Sequence, residues 1–318
     1  MIYGLIAAMG WGTSAIAATK AARASGTYSA VLSSQGAGVA VLIILAAFLH
    51  SSLNSFGVTT AAGLIGAGLL GLLGYLTFYR ALEYGAAVGL VSAISATYGG
   101  ITTLLAVLIL GEHIGGTGAA GVVLAVTGIA MASASSAATS QTPPIAVTEP
   151  IVGVAPGPIS GGALGPTSGG APGPTRGGRL SRAGIPLALA SAVTYGFSGL
   201  LLGDFSARAG ALGSALTAHG ASVAVLLLAL PILGRTKARH ADASGMMWAV
   251  AAGLTDVVAL LAFARGGQAG QVAVTAAVSS VYPAIPLLAG LIMFGERLSR
   301  RQLLGVILII TGLVLIGL

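Results

Sequence analysis

The sequence predicts an all-α integral membrane protein in which ten transmembrane helices form two inverted five-helix repeats. Charged residues make up only 7% of the chain, against about 25% in a typical soluble domain. Ten apolar segments are long enough to cross a bilayer, and one motif occurs twice. Because so few charged residues cannot form a soluble surface, and mean hydropathy is +0.98, lipid must be the solvent for most of the chain.

The ten segments are close to the length of about 20 apolar residues that a membrane-spanning helix needs. In the first half they are Ile2–Thr19, Tyr28–Phe48, Thr59–Leu82, Ala86–Leu110 and Gly116–Ala134. In the second half they are Gly184–Leu202, Ala211–Leu233, Gly245–Gly266, Gln271–Phe294 and Gln302–Leu318. They are apolar all round rather than alternating in polarity, which favours helices over the strands of a membrane barrel.

The repeated motif indicates that the chain consists of two related halves. The first copy contains Tyr98, Gly111-Glu112, Gly121 and Thr127-Gly128, and the second contains Tyr282, Gly295-Glu296, Gly305 and Thr311-Gly312. The copies lie 184 residues apart, and only the third and eighth helices need an offset of 185. Related halves are typical of transporter folds, in which the substrate path lies where the halves meet. We therefore assign residues 1–134 to a first repeat and residues 184–318 to a second.

The segment between the repeats, residues 135–183, has a different composition. It contains three octads rich in glycine and proline, which begin at Gly157, Gly165 and Gly173. Proline and glycine at this density cannot form a packed core, so we expect a disordered tether. A regulatory or partner-binding role for this segment is the alternative.

The topology follows from the number of helices in each repeat. Five is an odd number, so the second repeat must enter the membrane from the opposite side to the first. Twelve lysines and arginines lie in the loops of one side, and only Arg208 and Arg265 lie on the other. Because cytoplasmic loops are enriched in these residues, the side with twelve is predicted to be cytoplasmic, which places both termini outside an inner or plasma membrane.

Several other classes of function are excluded by what the sequence lacks. It contains no cysteine, which excludes disulfides and thiolate metal sites, and no GxxxxGK[ST] phosphate loop. The net charge of +7 is spread over short loops, so nucleic acid is not expected as a partner. No cofactor or metal is expected. The polar residues inside the helices are too few for a membrane-embedded enzyme.

Short motifs give the chain a family resemblance. Trp11-Gly12 in the first helix, Tyr79-Arg80-Ala81-Leu82 at the end of the third, Gly111-Glu112 after the fourth and Gly121 to Gly128 in the fifth resemble the EamA branch of the drug/metabolite transporter superfamily. The second half repeats the pattern with Tyr282-Pro283, Gly295-Glu296 and Gly305 to Gly312. The resemblance implies a ten-helix inverted-repeat carrier with a central cavity, in a family that includes exporters of amino acids and other small metabolites.

The chain departs from the family pattern in three respects. Gly99 stands where the second repeat has Pro283, so we expect the proline kink to be missing on that side. Many family members are thought to keep their termini in the cytoplasm, which is the reverse of the charge pattern here. The first helix also lacks the membrane-embedded glutamate on which the small multidrug exporters of the superfamily depend, and this disfavours a multidrug cation as substrate.

Asp256 is the acidic residue that the sequence places near the middle of a spanning helix, in Leu254-Thr255-Asp256-Val257. A carboxylate at the bilayer centre costs about 2.5–3.5 kcal/mol on insertion scales, so such a residue faces a cavity or a partner. We expect Asp256 to bind a coupling proton or a cationic group of the substrate. The alternative is a structural pairing with an arginine or a helix dipole.

Twelve other side chains inside the predicted helices are candidates for the substrate path. Gln35 and His219 occupy equivalent positions, and Tyr98 and Tyr282 each follow a serine by three residues, which puts both polar tips on one helix face. Helix–helix packing is the alternative role for all of them. The set is Trp11, Ser14, Gln35, Tyr75, Tyr79, Ser95, Tyr98, Tyr195, Ser198, His219, Ser279 and Tyr282.

Charged residues near helix ends form a third group of candidates. Arg80 and Arg265 occupy equivalent places in the third and eighth helices. They are predicted either to reach the membrane interface or to clamp a substrate carboxylate, because a guanidinium matches its geometry. Glu112 and Glu296 are expected to stabilise the N-terminus of the helix that follows each of them.

Together these features predict a secondary-active transporter that exports a small, amino-acid-like metabolite with proton coupling through Asp256. An uptake or exchange carrier for another small polar solute is the alternative, and a membrane-embedded sensor or enzyme is a more remote one. The expected partners are the small-molecule solute and the lipid bilayer, with the chain acting as a monomer or homodimer.

Overall fold

The computed structural model describes residues 1–49, 56–111, part of 116–131, 184–237, 243–295 and 298–316. Within these ranges all regular secondary structure is helical. Glu112, Glu296 and the predicted tether at 135–183 lie outside the described residues, so the roles assigned to them stay predictions.

Within each described range, short connections join successive helices. The first half contains α1 (Ile2–Ser25), α2 (Thr27–Phe48), α3 (Val58–Glu83), α4 (Val88–Ser95) and α5 (Tyr98–Leu105), which continues into a π-helical turn at Ala106–Leu110. The second half contains α6 (Gly184–Lys237), α7 (Ala243–Gln268), α8 (Val272–Ser279), α9 (Ala284–Met293) and α10 (Arg300–Ile316). The residues described between 116 and 131 are also helical.

Seven helical segments of the described chain are long and apolar enough to cross a membrane. They are Ile2–Ser25, Thr27–Phe48, Val58–Glu83, Val88–Leu110, Gly184–Pro231, Ala243–Gln268 and Val272–Met293. The segment Gly184–Pro231 has 48 residues, about 70 Å of helix, whereas the hydrocarbon core is about 30 Å thick. It therefore covers two of the predicted segments. The count of ten stays a prediction, because much of the predicted fifth helix lies outside the described residues.

Glycines with positive φ divide the helices at equivalent places in the two halves. The six that the structure describes form three pairs at the offsets of the sequence repeat: Gly26 with Gly210, Gly85 with Gly270, and Gly111 with Gly295. At Gly210, φ is 73° and ψ is 160°, and this single residue interrupts α6. Its counterpart Gly26 has nearly the same conformation (φ 78°, ψ 161°) between α1 and α2. A residue with a side chain rarely adopts this conformation, which explains glycine at both turns.

Each of the spans Val88–Leu110 and Val272–Met293 is broken near its middle. The helix stops after Ser95 in one and after Ser279 in the other, and short turns with bonds such as Thr97 N–H to Ile94 O (3.2 Å) connect the two parts. The expectation that the first span lacks a kink, because Gly99 replaces Pro283, is therefore wrong. The tight turn forms without proline because the Gly99 N–H bonds to Ala96 O at 3.1 Å.

Hydrogen bonds between the halves occur in reciprocal pairs. The Ser14 hydroxyl in α1 donates to the carbonyl of Ala252 in α7 at 3.0 Å. The equivalent Ser198 hydroxyl in α6 donates to the carbonyl of Ala67 in α3 at 2.8 Å. At the repeat offsets, Ser198 is the counterpart of Ser14 and Ala67 is the counterpart of Ala252. The two interfaces are therefore built in the same way.

Close backbone contacts follow the same rule. A Cβ atom added at Gly68 would lie 2.2 Å from the carbonyl oxygen of Ala218. A Cβ atom added at the equivalent Gly253 would lie 2.1 Å from the carbonyl oxygen of Ser34, the counterpart of Ala218. Small residues let membrane helices approach this closely, which strengthens their van der Waals packing.

The helices that pair across the halves run antiparallel. Ser14 of α1 bonds to Ala252 of α7, and Trp11, which precedes it, bonds to Asp256, which lies further along α7. Residue numbers therefore rise along α1 as they fall along α7. Because α7 is the counterpart of α3 in the second half, the second-half equivalent of α3 is antiparallel to α1.

The distribution of apolar side chains is that of a protein in lipid. The buried core is rich in alanine, whereas large apolar residues such as Ile44, Leu228 and Ile292 are 65–80% exposed. Exposed side chains of this size would be unfavourable in water over so wide an area. Together with the seven spans, they identify a multi-pass membrane protein.

Candidate functional site

A cavity of about 100 Å³ lies between the two halves. It is several times larger than the roughly 10–15 Å³ that one water molecule requires, so it can hold a small solute. Nine of the twelve predicted path residues line it, together with Asp256. They are Trp11, Ser14, Tyr75, Tyr79, Tyr98, Tyr195, Ser198, His219 and Tyr282.

The position of Trp11 in the cavity depends on the glycines beside it. A Cβ atom added at Gly10 would lie 2.7 Å from the carbonyl oxygen of Thr255, and one added at Gly12 would lie 2.6 Å from the Ile285 side chain. These contacts hold the middle of α1 directly against α7 and α9. The indole of Trp11, which lies between these two glycines in the chain, lines the cavity.

The Asp256 carboxylate is the centre of the polar network. Its side chain is almost fully buried, and it accepts hydrogen bonds from Trp11 Nε1 to Oδ1 (3.0 Å) and from the Tyr75 hydroxyl (2.8 Å to Oδ1 and 2.7 Å to Oδ2). His219 Nε2 lies 3.2 Å from Oδ2. Trp11 and Tyr75 belong to the first half, and His219 belongs to the second. Among the described residues, no lysine or arginine lies within ion-pair distance of this carboxylate.

Aromatic rings form much of the cavity wall around this network. Trp11 meets Tyr98 edge to face with ring centroids 5.8 Å apart, and it meets Phe263 at 5.6 Å. Tyr75 and Tyr195 are 5.4 Å apart in a T-shaped arrangement. Such geometry is favourable for aromatic pairs. The Asp256 carboxylate is therefore surrounded by the faces and edges of aromatic rings.

The tyrosine hydroxyls differ in whether they have partners. Tyr98 shares a 2.6 Å hydrogen bond with Ser279, and Tyr282 donates to the carbonyl of Ser92 at 3.2 Å. No described residue bonds to the hydroxyl of Tyr195, although this side chain lines the cavity. The Tyr195 hydroxyl is therefore available to a bound solute.

Three predicted path residues do not line the cavity. Gln35 is buried, and no partner for its Oε1 is found in the described ranges. Ser95 bonds to Ser191 at 2.6 Å, and Ser279 bonds to Tyr98. In each span the helix break lies between the serine and its tyrosine, and of the two only the tyrosine lines the cavity.

The predicted carboxylate clamp is also not at the cavity. Arg80 pairs with Glu83 at 3.0 Å, and its guanidinium lies 4.5 Å from the centre of the Tyr84 ring. Arg265 donates to Gln268 Oε1 at 3.2 Å. Both arginines lie in the last turns of α3 and α7, and neither is among the residues that line the cavity, although the nearby Tyr79 and Phe263 are.

Sequence reasoning missed one polar residue of the lining, Ser222. It donates to the carbonyl oxygen of Gly68 in α3 at 2.9 Å and so joins α6 to the other half. Its position three residues after His219 places both on one helix face, and this spacing could have identified it. In the part of the chain that the structure describes, no group of three or more histidines, aspartates and glutamates could hold a metal.

Comparison with known proteins gives a family and a fold. The profile of the EamA-like transporter family matches residues 1–134 and 182–318. A solved crystal structure is similar over 99% of this chain and 95% of its own, with a TM-score of 0.67 at 17% sequence identity. At that identity the likeness concerns the fold alone. Comparison with curated proteins found no match.

Proposed function

This chain belongs to the EamA-like transporter family, and we propose that it is a secondary-active exporter of a small solute, coupled to protons at Asp256. Members of this family are membrane transporters. The observation that carries the proposal is the buried Asp256 carboxylate, which lies in a cavity between the halves and accepts hydrogen bonds from Trp11 and Tyr75. An ionisable residue placed in this way inside a membrane bundle is functional by default.

We propose further that the ten-helix, inverted-repeat architecture is correct for this chain. The reciprocal bonds of Ser14 and Ser198 and the three pairs of positive-φ glycines support two equivalent halves. The antiparallel register of α1 and α7 supports opposite orientations for the halves. Alternating access then consists of one half rocking against the other around the cavity.

Proton coupling is proposed at the pair formed by Asp256 and His219. Their atoms lie 3.2 Å apart, so a proton bound by either residue changes the charge presented to the solute. Inward proton movement would drive the solute outward. The twelve basic loop residues support a cytoplasmic location for that side, with both termini outside.

The amino-acid-like solute predicted from the sequence receives less support from the cavity. Its carboxylate needs a basic partner, and His219, already beside Asp256, is the one basic side chain among the described lining residues. Uptake or exchange remains the alternative direction for the same site.

Proteoliposome flux tests the proposal. A panel of amino acids and amines is first screened by the melting temperature of the purified full-length chain, because a ligand of the folded state raises it. Uptake and release of each binding compound are then measured under pH gradients of both signs. Asp256→Asn should lower flux at least about 100-fold and abolish its pH dependence, since a buried charged partner is worth about 3 kcal/mol or more.

Asp204→Asn is the matched control, because Asp204 is a partly exposed carboxylate 3.8 Å from Arg208 and outside the cavity. Its flux and pH profile should equal those of the unaltered chain. If Asp256→Asn transports at an unchanged rate with an unchanged pH profile, the proposed coupling site is wrong. Flux driven only by the reversed gradient would favour the uptake alternative.

A further inference from the structure

We propose that the solute bound beside Asp256 is a small organic monocation, such as a protonated amine, rather than an amino acid. This inference rests on the proposed function, because it names the solute class for the same cavity. It depends on three features of the described lining: its charge, its aromatic walls and the hydrogen-bond donors that are already in use.

The first feature is charge. Asp256 is the acidic residue among the described lining residues, and its one basic neighbour, His219, makes a single contact with it at 3.2 Å. The cationic side chains of α1 and α3 are engaged elsewhere. Lys20 lies 3.9 Å from the centre of the Trp248 ring, and Arg80 pairs with Glu83. Arg23 donates to the carbonyl oxygen of Ala86 at 3.1 Å. With His219 neutral, the cavity holds one negative charge, which one cation would balance.

The second feature is the aromatic wall. Ring faces attract cations electrostatically within about 6 Å of the ring centroid, and tryptophan is the most effective ring. Trp11 touches the Asp256 carboxylate directly, and its ring contacts Tyr98 and Phe263 at 5.8 and 5.6 Å. A cation beside Asp256 would therefore contact a carboxylate and several aromatic rings. This environment suits a solute with an ammonium group and an apolar body.

The third feature concerns donors. The carboxylate of an amino acid would need hydrogen-bond donors in the cavity and would repel Asp256. Two of the donors in the lining, Trp11 Nε1 and the Tyr75 hydroxyl, already donate to Asp256. The hydroxyl of Tyr195 remains, and a hydroxyl can also accept a bond from an ammonium group. The site is built to receive positive charge.

Protons compete with such a cation. The titratable side chains that face Asp256 are Tyr75 and Tyr79 from α3 and Tyr195 and His219 from α6. A proton on the Asp256–His219 pair neutralises the charge that the ammonium would bind. Acidification should therefore weaken the binding of a permanently charged cation such as tetramethylammonium.

The lack of a glutamate in the first helix disfavoured a cationic solute at the level of sequence. The structure nevertheless provides a carboxylate in the cavity, which comes from α7 and accepts a hydrogen bond from Trp11 of the first helix. The two residues are 245 positions apart in the chain, so their contact was not visible in the sequence.

The test uses the full-length purified chain and three probes that share a 3-methylbutyl group: 3-methylbutylamine, 3-methylbutanol and leucine, which carries an additional carboxylate. Tetramethylammonium is added as a cation that cannot donate a hydrogen bond. The amine and tetramethylammonium should raise the melting temperature at concentrations where the alcohol and leucine do not. The shift should be lost in Asp256→Asn and kept in Asp204→Asn.

Two Trp11 variants keep the test informative if Asp256→Asn fails to fold. Trp11→Phe keeps a ring at the site, whereas Trp11→Leu removes it. Affinity for tetramethylammonium should be roughly 2- to 30-fold lower in the leucine variant than in the phenylalanine variant, which is the contribution of a cation–π contact. Equal affinities of the two variants for tetramethylammonium would show that the ring at position 11 does not contribute to cation binding.

The outcomes separate this inference from the proposed function. If leucine binds and the two cations do not, the proposed solute class is wrong. Asp256-dependent leucine flux in proteoliposomes would then still support the proposed transport function. Absence of a shift with both cations also overturns the inference. Binding of a probe without flux under any gradient would instead count against the transporter.

Discussion

Equivalent positions in the two halves differ in how far their residues have diverged. Where the halves pack on each other, the residue types match: Ser14 and Ser198 make the same bond, and Gly68 and Gly253 make the same close contact. At the polar centre of the cavity the types differ, although other lining residues such as Tyr98 and Tyr282 match. The counterpart of Asp256 is Gly71, and the counterpart of His219 is Gln35.

This difference indicates that the positions where the halves pack together and the positions around the Asp256 carboxylate are subject to separate constraints. Close backbone approach needs a small residue on both sides of the molecule, so a change in either half would cost stability. A single binding site in the middle needs only one carboxylate. A second one at position 71 would place two like charges in one cavity, which is unfavourable.

The largest expected effect comes from moving the carboxylate to the equivalent position. The double variant Gly71→Asp, Asp256→Asn should leave flux at least about 100-fold below that of the unaltered chain, because Trp11 and His219 contact position 256 and not position 71. Flux and its pH profile in proteoliposomes measure this. Recovery of flux to within a few-fold would show that the halves are interchangeable at the cavity.

The next largest effect concerns the frame. Gly68→Ala and Gly253→Ala should each lower the free energy of unfolding by about 1–3 kcal/mol or more, because the new methyl group would lie about 2 Å from a backbone carbonyl oxygen. The losses should be similar in the two halves. Thermal unfolding in detergent is the measurement.

Gly36→Ala and Gly220→Ala are the controls for this pair. They also occupy equivalent positions in helices, but a Cβ atom added at either would meet nothing within 4 Å. Their stability should be unchanged or slightly higher, since alanine favours a helix. A large loss of stability in only one of the variants Gly68→Ala and Gly253→Ala would show that the two packing interfaces are not equivalent.

A smaller effect is expected for the reciprocal hydrogen bonds. Ser14→Ala and Ser198→Ala should each cost about 0.5–1.5 kcal/mol, the contribution of one buried bond. Thr13→Val is the control, because the Thr13 hydroxyl bonds only to carbonyls of its own helix, Met9 and Gly10. Unfolding experiments that gave Thr13→Val the same cost would argue against a contribution from the bonds between helices.

The smallest effect on stability is expected at Tyr195. Tyr195→Phe removes a hydroxyl for which the described residues offer no partner, so the free energy of unfolding should change by less than about 0.5 kcal/mol. Tyr98→Phe removes a 2.6 Å bond to Ser279 and should cost about 1 kcal/mol. Solute affinity should show the reverse order, with Tyr195→Phe weakening it more. Equal stability losses would show that Tyr195 has a structural partner.

The sequence predicted the parts of this molecule that periodicity and repetition encode. The apolar segments identified the spanning helices, and the alignment of the halves singled out Trp11, Tyr195 and His219 without any structure. Asp256 was recognisable because a lone acid in an apolar helix is costly. The helix ends were less predictable: α1 continues to Ser25, beyond the predicted Thr19, with Lys20 packed on the Trp248 ring.

Other parts could not be predicted because they depend on contacts between distant residues. The hydroxyl of Tyr75 and the carboxylate of Asp256 are separated by 181 positions. The helix break after Ser95 occurs without a proline, and the Ser95 hydroxyl bonds to Ser191, 96 positions further along the chain. Arg80 and Arg265 had the chemistry of a clamp, but their guanidinium groups pair with Glu83 and Gln268, which composition does not show.

The Asp256 carboxylate also has a mechanical consequence. Its three partners come from α1, α3 and α6, which belong to both halves, so the halves cannot separate at this point without loss of a hydrogen bond to a charged group. Such a bond contributes about 1.5–3 kcal/mol. Under the proposed function, a solute bound at this carboxylate would replace part of these hydrogen bonds, so solute binding would also loosen the contact between the halves.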